Sequence, residues 1–273
     1  MIGMTNVVRR KQQPVVTFNG LTFTAPEGFA GISYYLTGYS SGNEPILYYS
    51  YDAVNWSSWA ADDILYLDEP DRLFVKGDNP NGLCQSQNVY VRFIIDYGAV
   101  NASGNINSLL DNGDGSTITE IPNDYCFNEL FSGCYLLMTM PDLPATILKE
   151  GCYLDMFFDT GLTDLSNKVL PATIIPNYAY NSMFSVSTIT HAPNMLFSSI
   201  ASGARYALAN MFADSYNLTY IKLENYTGAL NAFVGFSNWV SGVSGNGTIY
   251  YKGSTTSQGD SAIPSGWTKV SSW

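Results

Sequence analysis

Charge is scarce in this chain. Charged residues make up 13% of its 273 positions, about half the usual share. Lys and Arg number 12 against 23 Asp and Glu, giving a formal net charge of −11. Phosphate affinity needs clustered Lys and Arg, so a general nucleic-acid binder is excluded. Histidine is almost missing: His191 stands alone, and a serine triad or Cys-His dyad would have to use it. The four cysteines, Cys84, Cys126, Cys134 and Cys152, form no CxxC pair, so a Cys/His zinc site lacks its ligand pairs. They sit beside Tyr, Phe and Leu and are expected to be buried free thiols. No metal and no cofactor are expected. No apolar stretch approaches the ~20 residues that cross a bilayer. Residues 1–13 also lack the apolar core of a secretory signal. That predicts either a trimmed signal or another route out of the cell, such as inside a virus particle.

What is present is apolar and aromatic. Hydrophobic residues reach 46%, with 20 Tyr and 24 Gly. A sizeable core follows, and wholesale disorder is excluded. The length suits one large domain or two ordinary ones. Abundant Tyr with uncharged Asn, Ser and Thr fits a β-rich extracellular or particle surface.

The chain divides unevenly. Residues 1–13 form a leader holding Arg9, Arg10 and Lys11, a quarter of all basic residues in an acidic chain. It is either a frayed terminus or a tether that docks on an acidic partner surface. From 14 to about 105, short runs rich in aromatic and β-branched residues alternate with turn signals such as Asn19-Gly20 and Ser41-Gly42-Asn43. The runs lie at 15–18, 21–24, 32–36, 46–50, 64–67, 73–75 and 89–95. Seven short strands in this length predict a β-sandwich. Asp62, Asp63, Asp68, Glu69 and Asp71 match no calcium loop and are expected to be a solvated acidic loop. Asp111 to Ser116 places glycines where a calcium loop needs oxygen ligands, and is expected to be the turn joining the two parts.

The second half repeats. Leu130-Phe131, Met156-Phe157, Met183-Phe184 and Met211-Phe212 recur at 26, 27 and 28 residues, with a weaker copy at Ala232-Phe233. An apolar strand start follows each of the first four: Leu137, Leu162, Ile189 and Leu218. Three residues further lie Met140, Leu165, Ala192 and Ile221. Leu-Pro-Ala-Thr recurs at 143–146 and 170–173. A unit of ~26 residues cannot bury its own apolar face, so units stack and share one core. The L-x-x-L strand points two side chains inward, Pro-Ala-Thr turns the corner, and a short Tyr-rich helical piece returns the Met-Phe pair to the core.

The pattern YCFNELFSGCYLL…MPDLPATIL resembles the BspA-like leucine-rich repeats, in the Pro-Ala-Thr variant common in Bacteroidales gut bacteria and their phages. The resemblance covers about 120–235. LYYSYDAVNWSSW (47–59) is similar to the sandwich module that often precedes such repeats. GTIYYKG…IPSGWTKV (247–270) is similar to their C-terminal ending. The fold expected is mainly β with short helices. An Ig-like β-sandwich (14–105) is followed by a leucine-rich-repeat solenoid (106–240) and a C-terminal cap (241–273) built on a β-hairpin of Thr248–Tyr251 with Trp267–Val270. The resemblance implies a binding or surface protein and not an enzyme. No carboxylate pair stands out for glycoside hydrolysis, and the glycines at 242–247 precede a strand, not the helix that a phosphate cradle needs.

The register places His191 outward, with Thr139, Asp164 and Tyr220 at equivalent positions. A second row is Pro141, Ser166, Pro193 and Lys222. Stacked strands lie about 4.8 Å apart, so these side chains form rows on one face. Tyr, His and Asp can hold a sugar by stacking and hydrogen bonds; an ordinary solvated face is the alternative. The expected function is a multi-copy virion protein of a phage, associated with capsid, fibre or tail. It would be anchored by the leader, would meet other virion proteins, and would present the repeats to host glycans without inserting into a membrane. A bacterial surface adhesin for host matrix or sugars is the alternative.

Overall fold

A computed structural model describes residues 17–68, 71–230, 235–253 and 262–273. The protein is mainly β. No α-helix occurs among the described residues, where the one helical element is a 3-10 turn, η1 (Ile106–Leu109).

The first region carries β1 (Thr22–Thr24), β2 (Phe29–Thr37), β3 (Leu47–Ser50), β4 (Ser57–Trp59), β5 (Leu65–Asp68), β6 (Arg72–Gly77), β7 (Tyr90–Tyr97) and β8 (Val100–Ser103). Five of them form an antiparallel sheet in the order β4-β3-β6-β1-β8, and β5-β2-β7 form another. Alternation sets the inner faces: β7 buries Val91, Phe93 and Ile95 and turns Ile94 outward. Rings join the two inner faces. Phe23 of β1 meets Phe93 edge-on at 5.6 Å, and Tyr34 of β2 meets Trp59 of β4 at 5.1 Å. The buried Tyr34 hydroxyl donates to the Trp59 carbonyl at 2.8 Å, as a buried polar group requires. β4 and β8 are not among the expected strands. The expected run at 15–18 falls partly outside the described residues, and its described part, Thr17 and Phe18, is not strand.

Among its described residues the second region contains eight short strands: β9 (Leu137–Thr139), β10 (Val169–Leu170), β11 (Ile174–Ile175), β12 (His191–Met195), β13 (Ser199–Ile200), β14 (Tyr220–Leu223), β15 (Gly247–Tyr251) and β16 (Trp267–Val270). All of their ladders are parallel: β10-β12-β14-β15-β16 on one side and β11-β13 on another. The chain therefore coils, and each coil lies on the next. β9 pairs in parallel with β8. The boundary expected at 105/106 is thus crossed by one sheet, whose sixth strand is the first strand of the coils.

The repeat positions are buried as their period requires. Leu137, Met140, Leu162, Leu165, Ile189, Ala192, Leu218 and Ile221 all point into the core. Phe131, Phe157, Phe184 and Phe212 stack in turn at 5.4, 5.6 and 5.7 Å, within 6° of parallel. The column continues into the first region through Phe93, 5.2 Å from Phe131. Ala145 and Ala172 of the Pro-Ala-Thr corners are buried; an isolated parallel bridge at Ile147 follows the first corner, and the β11–β13 ladder follows the second.

Three expectations are corrected. The short helical pieces are runs of turns. Tyr125, Glu129 and Gly133, then Gly151, Asp155 and Asp159, then Tyr178, Ser182 and Val186, all have positive φ. A left-handed residue at every fourth position cannot continue an α-helix. The freed N–H groups bond to the next coil: Phe131 to Met156, Phe157 to Met183, Phe184 to Met211 and Phe212 to Trp239, at 2.7–2.9 Å. That last bond also corrects the fifth copy. Trp239-Val240 occupies the Met-Phe register, 28 residues after Met211-Phe212, whereas Ala232-Phe233 lies outside the described residues. The C-terminal hairpin is the third correction. β15 and β16 pair in parallel, Gly247 opposite Trp267 and Tyr250 opposite Val270. The 15 residues between them are long enough for the crossover that parallel strands need, so β16 adds a further rung.

All four cysteines are buried free thiols. Burial pushes Cys84, Cys134 and Cys152 up to about 12, which holds them as inert thiols.

Candidate ligand-binding face

The parallel sheet turns Leu and Ile inward, so every other side chain of its strands faces out. Asp164 bridges to His191, His191 lies opposite Tyr220, and Tyr220 lies opposite Thr248. Three of the four expected face residues, Asp164, His191 and Tyr220, are thereby brought together. Thr139 is not. It belongs to the other sheet, opposite Asn101, and its hydroxyl donates to the Ala102 carbonyl at 2.8 Å. The four-residue column is therefore a row of three, because β9 continues the first sheet. Arg9, Arg10 and Lys11, expected to anchor a partner, lie outside the described residues.

Asp164 is oriented by its own turn. Its carboxylate accepts the Ser166 N–H at 2.9 Å, and the hydrogen bonds from Ser166 hold it below the usual carboxylate range. His191 Nδ1 lies 3.1 Å from Thr190 Oγ1 and 3.8 Å from the Asp164 carboxylate. Both partners are open to water, so this pair orients the ring and adds little stability.

The row continues in aromatic rings. His191 and Tyr220 are 5.3 Å apart, Tyr220 and Tyr250 5.1 Å, and Tyr250 and Trp273 5.7 Å. Partial burial raises the Tyr220 hydroxyl above its ordinary value, so it stays a neutral donor and acceptor. Cations gather at the far end. Lys252 Nζ lies 4.5 Å and Lys222 Nζ 5.8 Å from the Trp273 ring centroid, within cation–π range. Lys222 also pairs with Glu224, and holds that carboxylate below its usual range.

A shallow groove beside the row is lined by Ser166, His191, Ala192, Asn194, Tyr220 and Lys222. Asn194 stands where Pro193 is expected: β12 bulges after His191, which places Asn194 opposite Lys222. Proline has no N–H for the ladder and is displaced into the bulge, where it is buried. The Asn194 Oδ1 atom is buried without a hydrogen-bond partner among the described residues.

Tyr250, Trp273 and Asn194 are the face residues that the repeat pattern misses. Tyr250 was legible in principle, since GTIYY has the inward-outward alternation of a further repeat strand. Trp273 lies beyond the last strand and carries no repeat signal. Elsewhere, Asp111 accepts the N–H groups of Gly113 and Gly115 at 2.9 and 3.2 Å, which makes it the expected turn. In the acidic loop Asp62, Asp63 and Asp68 are exposed, and Glu69 lies outside the described residues. Among the described residues no three His, Cys, Asp or Glu side chains converge as metal ligands, and no helix is long and apolar enough to cross a membrane.

Comparison with protein-family models, with curated proteins and with solved structures finds no match to this chain.

Proposed function

We propose that the chain is a non-enzymatic binding protein of a phage virion, displayed in many copies on capsid, fibre or tail. Its leader anchors it to other virion proteins, and its repeat face meets host glycans. The fold reading beneath this is an Ig-like β-sandwich (14–105) capping a BspA-like leucine-rich-repeat solenoid (106–240), with a further cap at 241–273. Two facing antiparallel sheets followed by parallel ladders one repeat apart support that reading.

One observation carries the functional reading: the partly exposed row His191–Tyr220–Tyr250–Trp273, with ring spacings of 5.1–5.7 Å. Aromatic faces take the apolar faces of sugar rings, while Asp164, Asn194 and Lys222 supply the few polar contacts that set orientation. The non-enzymatic reading is supported by the cysteines, which burial holds as inert thiols and not as nucleophilic thiolates.

Immunogold microscopy with an antibody to this chain, on purified phage and on intact bacteria from one culture, tests the setting. Gold on capsids or tails is the expected result. Gold confined to the cell envelope would replace the virion with the bacterial adhesin.

A further inference from the structure

The other sheet, β5-β2-β7, has an outer face of a different kind. Gly31 lies mid-strand in β2, opposite Tyr66 on one side and Tyr97 on the other. Glycine weakens a strand interior and marks close approach. Here a Cβ would come within 2.9 Å of the Tyr97 ring and 3.5 Å of the Tyr66 ring, so the missing side chain lets the two tyrosines converge. Phe29 stacks on Tyr66 at 5.6 Å and 16°. Phe29, Tyr66 and Tyr97 are 48%, 51% and 54% exposed. Three half-exposed rings on one sheet face form an apolar patch of the kind that marks an interaction surface. The charge beside it is acidic. Asp68 is opposite Phe29 in register and is exposed. Asp62 and Asp63, also exposed, lead into β5, and Asp96 follows the outward Ile94 in β7.

Rings rimmed by carboxylates fit a cationic segment: guanidinium and ammonium groups lie over ring faces and pair with the acids. This chain carries one such segment, Arg9-Arg10-Lys11. The place where the described chain begins favours another molecule's platform over its own. Phe18 packs on Trp56 and Phe74 at 5.2 and 5.7 Å. Phe74 alternates with the inward Leu73 and Val75, so Phe18 covers the outer face of the first sheet, on the opposite side of the two-sheet region. From Thr17 back to Arg10 the chain spans at most about 24 Å fully extended. It would have to round two sheets packed about 10 Å apart, with a side-chain layer on each outer face, to reach its own platform.

We infer that the Phe29–Tyr66–Tyr97 platform binds the Arg9-Arg10-Lys11 leader of a second copy of this chain. The contact joins two different surfaces, so it either repeats from copy to copy or closes when two copies exchange leaders reciprocally. The inference rests on reading the leader as a tether, and it makes the tether's partner another copy.

Sedimentation velocity of the full chain tests it, over about a hundredfold range of concentration and at low and high salt. The mean mass rises with concentration at low salt and falls back at high salt, as screening weakens exposed charge pairs. The triple variant Arg9→Glu/Arg10→Glu/Lys11→Glu and the double variant Tyr66→Ser/Tyr97→Ser each sediment as monomers with unchanged Tm. Mixed together they form dimers and stop, because one holds the only intact platform and the other the only intact leader. The triple variant leaves the sheets untouched, so the test survives if the tyrosine variant folds poorly. Monomers of the unaltered chain at every concentration would overturn the inference, as would association that survives both variants. Tyrosine variants that lose glycan binding but keep self-association would assign the platform to sugar instead. Loss of self-association in the triple variant with particle attachment retained would leave self-association standing and overturn the anchoring reading alone.

Discussion

The two regions hold their aromatic rings in different ways. In the antiparallel region the angles vary: Phe23–Phe93 at 73°, Tyr34–Trp59 at 87° and Phe18–Phe74 at 82° meet edge to face, while Trp59–Phe93 lies at 32° and Phe29–Tyr66 at 16°. In the coils Phe131, Phe157, Phe184 and Phe212 lie within 6° of parallel. The cause is the backbone. Facing sheets send side chains toward each other from opposite directions, and each pair finds its own angle. Stacked coils repeat one backbone path at each step, so equivalent rings are translated copies. Stability in the first region therefore rests on particular long-range partners. In the second it is a sum of nearest-neighbour interfaces, and damage to one coil is felt by both its neighbours.

The largest expected effect tests that sum. Phe157→Ala removes a ring stacked on both sides and should cost about 3–5 kcal/mol by denaturant unfolding. A loss below about 1 kcal/mol would show that the repeat register is misread. In the first region, Tyr34→Phe removes only the bond to the Trp59 carbonyl and should cost about 1 kcal/mol.

Close approach between coils is the next contrast. A Cβ on Gly161 would meet the Tyr135 carbonyl oxygen at 2.2 Å, whereas one on Gly245 meets nothing within 4 Å. Gly161→Ala should destabilise by about 2 kcal/mol, and Gly245→Ala by less than about 0.5. Equal effects on Tm would break the claim that the coils touch backbone to backbone there.

A smaller effect concerns pH. Burial pushes the Asp155 carboxyl above its ordinary value, against the Ser182 hydrogen bond and the Arg92 charge, which lower it. A raised folded-state value means that folding favours the protonated form. That contribution is complete below the ordinary value of about 3.9 and is lost as pH rises through the raised one. At pH 7 the ionised group costs stability. Asp155→Asn, whose side chain also suits a φ of 53°, should raise stability there by less than about 1 kcal/mol and leave it unchanged in acid. Thermal melts at the two pH values check it, and a gain of equal size at both would sink the assignment.

How far the sequence reads depends on what each residue has to do. The phenylalanines at 131, 157, 184 and 212 and the inward Leu and Ile positions are legible because packing demands them at every period. The register that brings Asp164, His191 and Tyr220 together is legible for the same reason. The turns between them are half-legible. Asp155, Asp159, Asn210, Asp214 and Asn238 are residue types that tolerate positive φ, but Tyr125, Glu129, Tyr178 and Val186 share that conformation and hide the signal. The Trp239-Val240 copy escapes because an indole ring replaces the open-chain Met, and Val replaces Phe. β16 is misread because two short strands near a chain end suggest a hairpin, and only the length between them argues for a parallel crossover. The bulge that seats Asn194 beside the groove follows from Pro193, whose missing N–H was the available clue. The glycine between Tyr66 and Tyr97 is visible only once the strands are paired.

Under the proposed reading each region carries its own surface: an aromatic row on the coils for sugar, and an acidic aromatic platform on the two-sheet region for a basic leader. The most direct test is a glycan array probed with the unaltered chain, Tyr220→Ser and Tyr66→Ser, all three shown to melt alike. Binding that Tyr220→Ser abolishes and Tyr66→Ser leaves intact is the predicted result. Glycan binding lost with Tyr66→Ser and retained with Tyr220→Ser would contradict it.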